Sequence, residues 1–145
     1  MKLILNRYEG NRRVTKAHIQ VILDEEVKME CEAREPRFDR YTESFPGCSQ
    51  SCLAEGEWQC KPVATRWSPM TPTIIRSPGN RCCRFIPSDG GDSTPINTVA
   101  VGQADNSSPE CGLTDGKKTF AELVHWMYRA FERGEPVTVV IRNTI

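Results

Sequence analysis

Short alternating stretches of apolar and polar residues run along most of the chain, and a helical period appears once. Residues 2–8 read as a strand, closed by the turn Glu9-Gly10-Asn11. Residues 13–23 form a second run, in which Ile19, Val21 and Leu23 share one face by period two. Asp24-Glu25-Glu26 reads as a hairpin turn into a third run ending near Arg34. The stretch from Pro36 to Gln50 is polar and broken by prolines, so it reads as a long loop. Gly56 to Trp67 is the next strand candidate, with Trp58, Cys60 and Val63 as packing residues, and Ser68-Pro69 and Pro72 end it. Thr73 to Ile86 holds two short strands around the turn Ser77-Pro78-Gly79-Asn80. Val99 and Val101 mark a strand within Asn97 to Gln103, and Ala104 to Gly116 reads as a polar loop.

The one helical segment follows. Thr119 with Glu122 three residues later has the form of a capping box. Phe120, Leu123, Val124, Met127, Tyr128 and Phe131 then fall on one stripe, because successive side chains turn by about 100°. Gly134 fits the stop, and Val137 to Ile141 is a last β-rich run. The pattern predicts a mainly β, α+β fold. Its architecture is an antiparallel or mixed sheet, or an open barrel, with one C-terminal helix packed on it and a final strand. At 145 residues the chain is expected to form a single domain, 1–145.

Composition narrows the functions. Lys plus Arg and Asp plus Glu both number 19, so the chain lacks the basic field of a nucleic-acid binder. No apolar run approaches the ~20 residues of a membrane span, and Met1 to Leu5 is too short for a signal-peptide core. These features lead to the expectation of a cytoplasmic chain without an export signal. Charge is uneven: Lys2, Arg7, Arg12, Arg13 and Lys16 precede an acidic stretch from Asp24 to Glu35, which suggests ion pairing between neighbouring strands. Oligomeric state is not legible.

Seven cysteines are many for such a chain, and the number is odd. Cys48, Cys52 and Cys60 with Cys82 or Cys83 could form a zinc set, but the spacing lacks a second close pair. One or two disulfides, or buried apolar thiols, are the other readings. No metal or cofactor is expected. Cys111, followed by Gly112 in a loop, is the one nucleophile candidate with local context, since a glycine lets backbone amides approach a carbonyl. His18 is expected on the strand face opposite Ile19 and Val21, and His125 on the solvent side of the helix.

Five short patterns occur in order. They are Cys31-Glu32-Ala33-Arg34-Glu35, Ala54-Glu55-Gly56-Glu57-Trp58, Ser68-Pro69, Val99-Ala100-Val101-Gly102-Gln103, and Glu110-Cys111-Gly112-Leu113-Thr114-Asp115-Gly116. With the helix and last strand, this order resembles an uncharacterised family of bacterial and phage-associated domains. That family looks like a relative of the L,D-transpeptidase (YkuD-like) catalytic domain. The resemblance implies Cys111 at the nucleophile position and Gly102, Gln103 and Gly112 as binding residues beside it. It also implies peptidoglycan peptides, or a protein partner, as the ligand, and a phage-associated setting as the alternative to the cytoplasm. Two departures matter: the family's histidine aligns with Ala100, and its glycine before the nucleophile is Glu110. A neighbouring carboxylate disfavours a thiolate. The expected function is a YkuD-like binding or structural module without ordinary L,D-transpeptidase catalysis. A cysteine acyl-transfer enzyme using Cys111 and a cysteine-stabilised interaction domain are the alternatives.

Overall fold

The computed structural model describes residues 1–10, 14–36, 53, 55–64, 71–77, 80–90, 97–105 and 112–144, with the backbone alone at 76–77 and 80–82. Nine strands and one helix occur among them. They are β1 (Lys2–Gly10), β2 (Val14–Leu23), β3 (Glu26–Pro36), β4 (Gly56–Val63), β5 (Thr71–Ser77), β6 (Asn80–Pro87), β7 (Thr98–Ala104), β8 (Leu113–Thr114), α1 (Gly116–Glu132) and β9 (Val137–Asn143).

Strand order is β3-β2-β1-β9-β4-β5-β6-β7-β8, and β3 also pairs with β7. That pairing closes eight strands into a barrel, with β8 as an extra strand on β7. The expected mainly β fold with one helix is therefore present, and its barrel is closed rather than open. Closure removes the free edges that an open sheet leaves for other chains. Two pairs are parallel, β1 with β9 and β6 with β7. The closing seam is short: Glu32, Ala33 and Arg34 face Gly102, Val101 and Ala100.

Alternation explains which side chains fill the barrel. Leu3 and Leu5, Ala17, Ile19 and Val21, and Met29, Cys31 and Ala33 point inward from the first three strands. Cys60, Ile74, Cys83, Phe85, Val99, Val101, Val137, Val139 and Ile141 complete the lining.

The β2–β3 hairpin turns on Asp24 and Glu25, both at positive φ (53° and 65°), the geometry of a type I′ turn.

Helix α1 packs on β7, β6, β3 and β9 and closes one end of the barrel. Its buried line is Gly116, Thr119, Leu123, Met127 and Ala130. The expected stripe is thus rotated. Leu123 and Met127 are central, Phe120, Trp126 and Phe131 pack at its margins, and Val124 and Tyr128 are half-buried. The expected capping box is not the start of the helix. The helix begins three residues earlier, at Gly116, and Thr119 is a buried residue of the first turn whose N–H donates to the Asp115 carbonyl (2.9 Å). Gly116 permits this start, because a β-carbon there would collide with the backbone of Ser88. The stop is as expected. Gly134 (φ 70°) donates to the Phe131 carbonyl and Glu135 to that of Ala130, a Schellman motif.

Candidate functional site

The β3–β7 seam carries the residues that the sequence singled out. Ala100 and Gly102 stand on the barrel's outer side, opposite Arg34 and Glu32. Gly102 is buried, and a β-carbon there would lie 2.8 Å from the Thr114 carbonyl and 3.0 Å from Leu113 Cβ. The missing side chain is what lets β8 lie against β7. Gln103 is half-buried and donates from Nε2 to Thr119 Oγ1 (3.5 Å), joining β7 to α1. Gly112 is buried directly before β8. Leu113 and Thr114 pair with Ala104 and Gln103, so the stretch expected to be wholly loop contains a two-residue strand. Cys111 lies outside the described residues, as do Cys48, Cys52, Glu110 and Ser68-Pro69.

Next to the seam is a polar network on the outer side of the first three strands. Tyr8 donates its hydroxyl to Glu32 Oε1 (2.6 Å). His18 sits between two carboxylates, with Nδ1 3.0 Å from Glu32 and Nε2 3.4 Å from Glu30. Gln20 Nε2 donates to Glu30 (2.8 Å). Donation from Gln20, and then from His18, holds the Glu30 carboxyl below the ordinary range. Burial, and then the bond to Glu32, raises the Tyr8 phenol. His18 is paired across the ladder with Glu32, which is paired with Gly102. Its backbone is therefore about 10 Å from that of Gly102, two strand spacings. His125 is exposed on α1, as expected, with its ring edge-on to Trp126.

Two rungs from His18 is a row of little-exposed groups: Lys16, Arg34 and Ala100, each 6% exposed. Lys16 pairs with Glu9 (3.1 Å), and Arg34 Nη1 donates to the Ala33 carbonyl (2.9 Å). On this row Ala100, with its methyl group, is the cross-strand partner of Arg34, with its guanidinium. Neither accepts a proton at neutral pH.

A second charged centre lies inside the barrel. Arg7 and Glu35 are 0% and 1% exposed. Arg7 Nε and Nη2 donate to the two Glu35 oxygens at 2.8 and 2.9 Å, a bidentate pair. Nη2 also donates to the Leu53 carbonyl. The signal was present in the alternation. Arg7 continues the inward positions Leu3 and Leu5, and Glu35 continues Cys31 and Ala33. Ion pairing between the basic and acidic stretches is present at Arg7–Glu35, but it crosses from β1 to β3 inside the barrel rather than joining neighbouring strands as expected.

The described thiols are small core groups. Cys31 and Cys60 are free and buried, and Cys83 is buried as well. Cys60 and Cys83 flank Ile74 across β5, which puts them about 10 Å apart. A disulfide needs α-carbons within about 7 Å. Among the described residues no three His, Cys, Asp or Glu side chains are grouped to hold a metal. No described helix is long and apolar enough to cross a membrane. No protein-family model, curated protein or solved structure matches the chain.

Proposed function

We propose that this chain is a YkuD-like domain that has lost ordinary L,D-transpeptidase catalysis and acts as a binding or structural module, with peptidoglycan stem peptides as its ligand class. The observation that carries the reading is Ala100 facing Arg34 across the seam. An attacking thiol needs a base within hydrogen-bond reach or a lowered pKa of its own. The family's base position offers no proton acceptor. Both ring nitrogens of His18 face carboxylates, and His125 is exposed on α1. Glu110 before Cys111 adds a charge that works against a thiolate.

The test has two arms. The alkylation rate of Cys111 is followed against pH by mass spectrometry of reduced protein. Its midpoint is expected at or above the free-thiol value of ~8.5. A soluble stem peptide is then titrated by NMR and is expected to shift amides of β7, β8 and the start of α1 without forming an adduct. A midpoint below about pH 7, or a covalent carbapenem adduct on Cys111, would make the chain an acyl-transfer enzyme. Absence of any peptide-induced shift would remove the ligand assignment.

A further inference from the structure

Glu35 closes the Cys31–Glu35 pattern, and the binding role proposed above leaves it unexplained. It is the partner of Arg7 at the barrel end opposite α1, where β1, β3 and β9 finish and β4 begins. Three other contacts meet there. The Thr144 N–H and hydroxyl both donate to the Arg7 carbonyl, at 3.0 and 2.6 Å. The Asn143 N–H donates to Glu55 Oε1 at 2.6 Å. The Arg7 guanidinium reaches past Glu35 to the Leu53 carbonyl, while the Leu53 side chain packs on the core. One residue therefore holds both sides of this mouth, by its backbone on β9 and by its side chain on the approach to β4.

We propose that the Arg7–Glu35 pair is a latch that fixes Leu53 across this end of the barrel, and that the barrel itself does not need it. Taking both charges out of water offsets most of their mutual attraction, so such a pair adds little to stability over apolar residues of the same size. Apolar side chains already fill the same inward positions on β1 and β3 at Leu3, Leu5, Cys31 and Ala33. What they cannot do is donate to a carbonyl. Glu35 holds the guanidinium in the plane from which Nη2 reaches Leu53.

The experiment compares Arg7→Met/Glu35→Leu, Arg7→Lys and the unaltered chain. Chymotryptic cleavage of the Leu53–Ala54 bond is timed by mass spectrometry, with cooperative unfolding and the near-ultraviolet spectrum as controls. The double variant should fold cooperatively and be cut after Leu53 roughly ten- to a hundredfold faster, the range for losing one hydrogen bond to a charged group. Arg7→Lys keeps the charge opposite Glu35 but not the fork, so it too should fold and be cut faster. Unchanged cleavage in both folded variants would overturn the latch. Failure of the double variant to fold cooperatively would overturn it as well, by showing that the pair carries the barrel.

Discussion

Alkaline solution should weaken this barrel through two thiols that have no other evident role. Cys31 and Cys60 are each 2% exposed. Burial pushes both thiols from 9.0 up to about 12, aided at Cys31 by the charges of Glu32 and Glu122. Between those values the unfolded chain has released both protons and the folded chain has kept them. The folded state binds more protons, so stability falls as pH rises. At about pH 10.5, midway through the window, linkage removes about 2 kcal/mol per thiol and about 4 kcal/mol for the pair. That is a large fraction of the ~5–15 kcal/mol that holds a domain together. Urea unfolding is measured under reducing conditions at about pH 8 and pH 10.5, on the unaltered chain and on Cys31→Ala/Cys60→Ala. The cavities left by the double substitution lower stability equally at both pH values, so the readout is the difference between them. Lysines and tyrosines titrate in both proteins and cancel. The unaltered chain should lose about 4 kcal/mol more than the variant on going to high pH. Equal losses would refute the reasoning and place the thiols in contact with water.

Three further outcomes are expected. Glu25→Gly should stabilise the protein by roughly 0.5–1 kcal/mol, because φ of 65° strains any residue with a β-carbon; a lower melting temperature would argue against the type I′ turn. Gly116→Ala should destabilise by roughly 1–3 kcal/mol or more through its clash with Ser88, and a neutral result in thermal unfolding would displace the helix start. Met127→Ala, at a position 0% exposed under the barrel end, should cost roughly 2–5 kcal/mol in chemical denaturation, and a loss under about 1 kcal/mol would contradict the packing of α1.

The strands were legible because alternation with one buried face is a strong local signal. Ile19, Val21 and Leu23, and Val99 with Val101, lie inward as their spacing requires. The helix and its glycine stop were legible for the same reason, but its first turn was not. Gly116 opens the helix for a contact with Ser88, a residue distant in sequence, and no capping pattern encodes that contact. β8 escaped because two residues carry no period. Closure of the barrel depends on three rungs between β3 and β7, segments more than sixty residues apart. Arg7 and Glu35 were read only as members of the basic and acidic stretches, yet both stand at inward parity and meet inside the barrel. Of the candidate site, Gly102, Gln103 and Gly112 come together around β8 and α1, while Cys111 lies outside the described residues.

The parallel pairing of β1 with β9 sets a schedule for biosynthesis. β1, β2 and β3 can form their antiparallel ribbon as soon as they leave the ribosome, but β1 then exposes one bare edge until β9 has been made. The apolar row Leu3 and Leu5 stands beside that edge meanwhile. Contacts between segments this far apart fold slowly, on the order of milliseconds to seconds for β topologies. The nascent chain therefore passes through an interval in which its most strand-prone edge is open to other chains. The exposed Lys2 is then the charged group on β1 that keeps such edges apart.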